Sequence, residues 1–337
     1  MPSSSGFSVE TGTPSFSTLE SFSAWIAEPD QWPIGDAWAY HDWHQSGNGE
    51  IEPFMKELES QFGAGTSLAD FERKAQMLNY VDYRAIFEGF NAGLWTKNSG
   101  RLLWMTHPAW PSNHWQIYSS DYDTSAAYYA TKAGSEPIHV QMNLPDYALA
   151  VTNTTRDEAD GLTLKAHVVD IANRTLLDRS EAVSAPANKT TTLKPLTIQP
   201  LLDAHGLVLV ELTLSDAQGN TISRNVYWQG KDDAAYRQLN TLAPQPLAAT
   251  AKKDGVGITI AIANRSATPV LATKLTLVDA KGERVLPAFY EDNYISLLPG
   301  ESRSVTIRTM DAVKPAGTPA AVQLRGWNVQ PASVPIG

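Results

Sequence analysis

The chain has 337 residues, of which 42% are hydrophobic and 18% are charged, so it is long enough for two or three globular domains. The absence of cysteine excludes disulfides, thiol catalysis and cysteine-ligated metal, and no apolar run approaches the roughly 20 residues that a membrane span needs. Residues 1–145 carry 17 Asp+Glu against 7 Lys+Arg, a balance that argues against nucleic acid as a partner and is compatible with a cationic ligand such as an amino sugar.

The N-terminal part is predicted to be mainly helical. Ser17 and Glu20 have the spacing of a capping box, which predicts a helix that ends near Ile26. Apolar residues at helical spacing predict two further helices, over 51–62 and about 67–95.

Two short apolar runs are predicted strands. The first ends at Glu10, and the second covers 102–105 and has the composition of a strand buried on both faces. Asp123 is expected to cap a last helix that reaches about Lys132. The order of strand, helices, strand and helix is typical of the end of an α/β barrel. We therefore predict that residues 1–143 are the C-terminal part of a (β/α)8, or TIM, barrel: its last two strands and their helices.

After the predicted barrel segment the chain becomes β-rich. Apolar or alternating runs over 147–152, 162–169 and 207–214 are separated by turn residues. Their number and spacing suit modules of about 90 residues, the size of an immunoglobulin-like β-sandwich. We predict one sandwich over 144–231 and a second over 232–337. The predicted fold class is multidomain, α/β followed by all-β.

Short sequence pieces recur between the two predicted sandwiches. Residues 171–175 (IANRT) return as 262–266 (IANRS), and residues 216–219 (DAQG) return as 279–282 (DAKG). The pieces fall at different places in the two modules, so they predict shared turn chemistry rather than a strict repeat. Four asparagines match the glycosylation sequon, a pattern that is frequent by chance in Thr-rich modules: Asn153, Asn173, Asn188 and Asn264.

Several stretches resemble glycoside hydrolase family 2. They are FSVETGTPSFSTLE at 7–20, RLLWMTHPAWPSNHWQ at 101–116, the run at 126–141, SRNVYW at 223–228 and ERVLPAFYEDNYISLLPGE at 283–301. Within the family they are most similar to the branch that holds exo-β-glucosaminidases, β-mannosidases and mannosylglycoprotein endo-β-mannosidases. The resemblance covers almost the whole chain and implies the end of a catalytic barrel followed by two sandwiches.

The family resemblance implies a retaining mechanism that uses two carboxyl groups about 5–5.5 Å apart. Glu10 matches the position of the nucleophile, whereas the acid/base residue is expected upstream of Met1. Trp104 is predicted to stack on a sugar ring, and His107 and Trp110 to contact sugar hydroxyls. Without the acid/base residue, this chain alone is expected to be inactive.

Two histidines in the N-terminal part raise the question of a metal site. His41 and His44 lack further ligands in the sequence, so they are predicted to pack in a loop or to contact sugar. We predict no metal and no cofactor.

Three functions are compatible with these features. The run after Glu10 resembles β-mannosidases and favours hydrolysis of β-mannosides, by a β-mannosidase or an endo-β-mannosidase. The triplet ETG at 10–12 and the acidic N-terminal part favour the alternative, an exo-β-D-glucosaminidase that acts on chitosan-type oligosaccharides. A third hypothesis is a non-catalytic fragment or subunit that needs an N-terminal partner polypeptide. The expected partners are a carbohydrate and that N-terminal part, without nucleic acid or membrane. The compartment is left open, and a periplasmic or secreted location is favoured for the full-length parent.

Overall fold

The computed structural model describes residues 6–44, 51–144, 146–255, 257–309 and 317–337. Contacts within the chain divide it into two compact units, and each unit is assembled from three stretches. Unit 1 consists of Met1–Thr13, Val81–Trp104 and Ala130–Gln238, and unit 2 consists of Pro14–Tyr80, Met105–Tyr129 and Leu239–Gly337. Each unit therefore combines residues of the N-terminal part with residues of the β-rich part.

Helices dominate the N-terminal part and strands the remainder. The helices are α1 (Leu19–Trp25), α2 (Asp36–Tyr40), α3 (Glu52–Phe62), α4 (Leu68–Ala92), α5 (Ala126–Gly134) and α6 (Gln199–His205), with 3-10 turns at Glu28–Asp30 and Asp233–Thr241. The first strands are β1 (Gly6–Thr11), β2 (Asn98–Leu103), β3 (Ile138–Met142), β4 (Ala148–Asn153), β5 (Ala159–Val169), β6 (Thr175–Ala185), β7 (Lys189–Pro195), β8 (Leu207–Ser215) and β9 (Thr221–Gly230). The remaining strands are β10 (Ala248–Asp254), β11 (Gly257–Ala263), β12 (Val270–Val278), β13 (Ala288–Tyr290), β14 (Ile295–Leu297), β15 (Ser302–Thr309), β16 (Ala321–Arg325) and β17 (Ala332–Pro335). Among the described residues, no helix is long and apolar enough to span a membrane.

The predicted helices over 51–62 and 67–95 correspond to α3 and α4, but two predicted helix caps are wrong. The cap of α1 is Thr18 rather than Ser17, because the Thr18 hydroxyl accepts a hydrogen bond from the backbone N–H of Ser21 at 3.3 Å. Asp123 does not cap α5, which begins three residues later, and its carboxylate is buried in ion pairs instead. In both places an acidic side chain that local spacing had assigned to a helix start, Glu20 or Asp123, pairs with the distant Lys274.

In unit 1, β1 and β2 form a two-stranded parallel sheet. Phe7 lies opposite Gly100, and a Cβ at position 100 would approach the Phe7 ring to 2.4 Å, so a larger residue there would require the Phe7 side chain to shift. The second predicted strand is wrong in extent and in burial. It ends at Leu103, and Leu102 and Trp104 are 56% and 46% exposed, because the described residues place no further strand or helix over their side chains.

The β-rich part of unit 1 is a sandwich of two antiparallel sheets. Their strand orders are β3-β4-β7 and β6-β5-β8-β9. Apolar side chains from both sheets meet in one core, among them Val140, Leu149, Leu164, Val210 and Tyr227.

Unit 2 contains a second sandwich of antiparallel sheets, with strand orders β10-β11-β15-β13 and β14-β12-β16-β17. Its core includes Ile260, Leu277, Ile295, Val305 and Leu324. Every residue of β12 is buried, although its sequence VLATKLTLV contains a lysine at position 274.

One aspartate-centred turn joins strands in both sandwiches. In each copy the carboxylate accepts hydrogen bonds from the backbone N–H groups of the residues two and four positions later. The residue three positions after the aspartate has a positive φ. The aspartates are Asp170, Asp216 and Asp279, followed by Asn173, Gly219 and Gly282 at φ values of 61°, 85° and 86°. The predicted recurrence of DAQG as DAKG is confirmed as shared turn chemistry.

The other recurrence, IANRT with IANRS, aligns Asn173 with Asn264, but these two asparagines do not have the same place in the structure. The structural counterpart of Asn264 is Asn153, not Asn173. In both Asn153 and Asn264, Oδ1 accepts hydrogen bonds from the backbone N–H and the hydroxyl of the residue two positions later, Thr155 or Ser266. Each Nδ2 donates to two backbone carbonyls at 2.8–3.0 Å, and both asparagines are fully buried. The sequon pattern at these two sites is the signature of a buried turn.

Candidate active site

In unit 1, the carboxyl ends of β1 and β2 bring two of the predicted site residues to one edge. Glu10 is exposed one residue before the end of β1. The backbone N–H of Trp104 donates to the carbonyl of Thr11 at 2.9 Å, which extends the strand pairing by one residue beyond β2. Trp104 therefore follows β2 beside the end of the strand that carries Glu10. Parallel strands present their functional side chains at this edge in barrel enzymes.

The 81–92 part of α4 anchors this edge. The Tyr83 hydroxyl donates to the carbonyl of Thr13 at 2.8 Å, just after β1. The Arg101 guanidinium in β2 donates to the carbonyl of Ile86 at 2.8 Å and lies 5.4 Å from the centre of the Phe90 ring. These contacts hold both strands from one side and leave the Glu10 side chain exposed. Ser8 Oγ also bonds the backbone carbonyl of Glu10, at 3.2 Å.

His107 belongs to unit 2, where its half-buried ring stacks on Tyr122 with centroids 4.7 Å apart and an interplanar angle of 22°. Its Nε2 is enclosed and has no hydrogen-bond partner among the described residues. The backbone of the preceding residue is fixed, because the Thr106 carbonyl accepts the N–H groups of Ile117 and Tyr118 at 3.2 and 2.9 Å. This histidine is packed against a tyrosine and keeps one polar atom unused.

Trp110, also in unit 2, belongs to a surface cluster of three rings, which we name the Tyr40 cluster: Tyr40, His41 and Trp110. The His41 and Trp110 rings are stacked, with centroids 5.3 Å apart, and Tyr40 stands edge-on to Trp110 at 5.4 Å. Tyr40 and Trp110 are 73% and 39% exposed. Sequence reasoning identified the tryptophan but missed the tyrosine, because the two are distant in the chain.

The two histidines of the N-terminal loop do not converge on a metal. His41 Nδ1 bonds the Pro111 carbonyl at 2.6 Å, whereas the His44 ring stacks on His114 with centroids 5.9 Å apart. Burial lowers the pKa of His114 to about 4, so this ring is neutral at ordinary pH. Across the part of the chain that the structure describes, no group of three or more His, Asp or Glu side chains could hold a metal ion.

Unit 2 also contains a buried ion network that the sequence analysis did not find. Lys274 Nζ lies 2.7 Å from Glu20 and 3.2 Å from Asp123. Arg325 pairs with Glu20 and Glu72 at 2.9 and 2.8 Å. Burial by itself would raise the pKa of the Glu20 carboxyl, but the charges of Lys274 and Arg325 outweigh it and hold this pKa well below its usual range. The sequence feature that could have revealed this network is Lys274, a lysine inside the largely apolar run of β12.

Asp121 and Asp123 complete the network from the loop before α5. Arg284 reaches both, at 2.8 Å from Asp121 and 3.1 Å from Asp123. Burial raises the pKa of the Asp123 carboxyl and the charge of Lys274 lowers it; the balance, with Arg284, leaves it below the usual value. The network holds residues of the N-terminal part against the second sandwich, so its role is structural.

Comparison with known proteins identifies the architecture. Residues 146–231 match the family described as the mannosidase Ig/CBM-like domain, and residues 225–329 match the exo-β-D-glucosaminidase Ig-fold domain. The chain is 31% identical to an exo-β-D-glucosaminidase of Streptomyces avermitilis, over 98% of this chain and 40% of the relative. The crystal structure of Amycolatopsis orientalis exo-chitosanase CsxA superposes with a TM-score of 0.86 at 26% identity, over 98% of this chain and 42% of that one. The chain belongs to glycoside hydrolase family 2.

Two further similar proteins extend the comparison. A mannosylglycoprotein endo-β-mannosidase of Lilium longiflorum is 29% identical over 79% of this chain and 34% of the relative. A β-D-mannosidase from Dictyoglomus thermophilum shares the fold, with a TM-score of 0.75 at 16% identity, over 96% of this chain and 38% of that one. The chain spans about 40% of the length of the first curated relative, and the two predicted immunoglobulin-like folds are confirmed by the family matches.

Proposed function

We propose that this chain is the C-terminal part of a retaining β-glycosidase that removes β-linked glucosamine from chitosan-type oligosaccharides. The observation that carries the proposal is the meeting of Glu10 and Trp104 at the carboxyl edge of a parallel strand pair, in a chain of glycoside hydrolase family 2. Relatives at 31% and 30% identity are named exo-β-D-glucosaminidases. They support the glucosaminide over the β-mannoside that the sequence analysis preferred.

In this proposal Glu10 attacks the anomeric carbon of the sugar. The bond to the leaving oxygen breaks, that oxygen takes a proton from a second carboxyl group, and a glycosyl-enzyme forms that water later hydrolyses. Trp104 offers a ring face to the C–H face of the sugar. The sugar contacts of His107 and Trp110 stay predictions of the sequence. No residue of this chain is assigned the acid/base role.

We further propose that β1 and β2 are the last two strands of an eight-stranded barrel whose other strands come from polypeptide that precedes residue 1. The domains would then be 1–143, 144–231 and 232–337. Exposed apolar side chains on both strands support this, namely those of Phe7, Val9 and Leu102. A two-stranded parallel sheet with open edges is unstable alone, so the isolated chain is expected to be inactive and poorly soluble.

Turnover by the protein expressed from its complete coding region tests the substrate. Nitrophenyl β-glucosaminide is expected to be hydrolysed faster than nitrophenyl β-mannoside. Hydrolysis of the mannoside alone would instead support the second candidate, a β-mannosidase, which the similarity to the lily endo-β-mannosidase favours. An active, monomeric preparation of residues 1–337 alone would contradict the need for an N-terminal partner.

The variant Glu10→Gln tests the nucleophile. It is expected to lower kcat by roughly 10⁴-fold, because removal of an attacking group leaves only binding and electrostatic contributions. Azide is expected to restore partial turnover in the smaller variant Glu10→Ala, where it can take the place of the carboxylate, and to yield a glycosyl azide of inverted configuration. Glu28→Gln is the matched control, an exposed glutamate in a 3-10 turn. Retention of full activity by Glu10→Gln would overturn the assignment.

A further inference from the structure

The Tyr40 cluster is an exposed aromatic feature of unit 2, with Tyr40 and Trp110 73% and 39% exposed. Tyr40 stands almost perpendicular to both other rings, at 86° to His41 and 81° to Trp110, and its centroid is 5.4 Å from each. The stacked His41 and Trp110 rings and the perpendicular Tyr40 ring together form a concave corner lined by ring faces. Exposed aromatic faces in this arrangement suit the C–H face of a pyranose ring.

His41 fixes the corner. Its Nδ1 lies 2.6 Å from the Pro111 carbonyl, and its own carbonyl accepts the N–H of Asn113 at 2.9 Å. A carbonyl oxygen only accepts, so Nδ1 carries the proton, and in the neutral ring Nε2 is left as an acceptor. The histidine thus ties the loop that bears Trp110 to the end of α2, which bears Tyr40. The rings are held in place before any ligand arrives.

The charge around the cluster is negative. Asp36, an exposed residue at the start of α2, precedes Tyr40 by four positions, so the two side chains lie on the same side of that helical turn. The segments that form the cluster, 14–44 and 105–129, contain neither lysine nor arginine. A cation placed over the rings would meet a carboxylate and no like charge from these two segments. Aromatic faces add an attraction for such a cation.

We propose that the Tyr40 cluster and Asp36 form a binding surface for a protonated glucosamine residue of a β-1,4-linked oligosaccharide. The sugar stacks its C–H face on Tyr40 and Trp110, and its ammonium group pairs with the Asp36 carboxylate. The identity of the sugar rests on the proposed function, whereas the preference for a cationic ring over a neutral one rests on the charges of this surface.

Isothermal titration calorimetry with a glucosamine tetramer tests the surface, at a pH below the pKa of the sugar amine. The protein from the complete coding region carries Glu10→Gln, so that the ligand is not hydrolysed. Tyr40→Ala is expected to raise Kd about 2- to 5-fold, and Asp36→Asn to raise it by a similar factor that shrinks at high salt. Tyr40→Phe should restore binding. Phe289→Ala, an exposed aromatic on β13, is the matched control and should leave Kd unchanged.

The neutral N-acetylglucosamine tetramer completes the design and is expected to bind more weakly. Equal binding of both tetramers, or the same Kd for Tyr40→Ala and Phe289→Ala, would overturn the inference. Circular dichroism and melting of each variant separate loss of binding from loss of folding. Nitrophenyl turnover is measured separately with Glu10 intact. Exclusive hydrolysis of β-mannoside would refute the proposed function. The calorimetry would still test separately whether the Tyr40 cluster and Asp36 bind a protonated glucosamine residue.

Discussion

Both units bury charged groups where helical residues meet a β-sandwich, but they neutralise them with different cations. In unit 2 the cations are Lys274, Arg284 and Arg325. In unit 1 a histidine joins the network, since His139 in β3 lies 3.1 Å from Glu88 and 3.1 Å from Glu136. The difference means that the unit 1 network contains a buried histidine, His139, whose charge depends on pH.

The unit 1 network also contains an arginine, since Arg84 Nε lies 3.9 Å from Glu88 Oε1, and two neutral partners of Glu88. Glu88 Oε1 accepts hydrogen bonds from Asn225 Nδ2 at 2.6 Å and from the Tyr227 hydroxyl at 2.8 Å. Arg84, one helical turn before Glu88, donates to Asn225 Oδ1 at 2.7 Å and lies over the Tyr227 ring at 4.0 Å. Burial by itself would lower the pKa of His139, but its hydrogen bonds to Glu136 and Glu88 outweigh burial and raise the pKa to about 9.

The largest expected effect comes from breaking the unit 2 network. Arg325→Met leaves Glu20 and Glu72 without a shared cation, and loss of one partner from a buried ion network costs about 3–5 kcal/mol of unfolding free energy. Chemical denaturation measures the loss. Arg308→Met, on the exposed side of β15, is the control and should stay within about 0.5 kcal/mol of the parent protein. A similar loss in both variants would show that the network does not stabilise unit 2.

The unit 1 network is expected to weaken as the pH rises. His139 has a folded pKa of about 9, above its unfolded value of about 6.5. Its contribution is therefore fully present below pH about 6.5 and is lost by pH about 9, a change of about 3 kcal/mol at 1.36 kcal/mol per pKa unit.

Hydrogen exchange of β3 and β12 peptides, corrected for intrinsic rates, measures this contrast between the units. Between pH about 6.5 and pH about 9, the protection of β3 against hydrogen exchange should fall more than the protection of β12. His139→Gln should abolish the pH dependence in β3, whereas His167→Gln, at a half-exposed site beside Asp178, should preserve it. Parallel loss of protection in β3 and β12 would contradict the assignment of the titrating charge to unit 1.

The paired asparagine turns predict equal behaviour of the two sandwiches. Asn153→Ala and Asn264→Ala should each cost about 2 kcal/mol, because each removes a buried amide and leaves backbone groups unsatisfied. Denaturation midpoints provide the comparison. Thr154→Ala and Arg265→Ala change exposed neighbours in the same turns and serve as controls. A large difference between the asparagine variants would show that the two turns are not equivalent.

The smallest expected effects concern the aspartate-centred turns. Gly219→Ala and Gly282→Ala should each cost about 1 kcal/mol, because both glycines have a positive φ that a Cβ disfavours. Asn173→Gly occupies the same position and should change stability by less than about 0.5 kcal/mol. The melting temperatures of the three variants rank them by stability. A cost for Asn173→Gly as large as that of the alanine variants would indicate a side-chain role for this asparagine.

Local sequence predicted those parts of the molecule that depend on local forces. Apolar spacing and Gly63 predicted α3, whose C-terminal glycine has the expected positive φ of 81°. The DAQG and DAKG pieces predicted one turn, because an aspartate and a glycine three positions apart in the chain are enough to form it. The position of Glu10 at the end of a strand was also predicted, although the exposure of that strand was not.

The sequence by itself therefore determined α3, α4, the turns at Asp216 and Asp279 and the family, since spacing and composition act over a few residues. The tertiary structure alone decided the use of Glu20 and Asp123, whose partner Lys274 lies 254 and 151 residues away. The spacing of Glu20 suited a helix cap, which contributes about 1 kcal/mol. A buried lysine without a carboxylate costs several times more, so long-range charge pairing prevailed over the local preference.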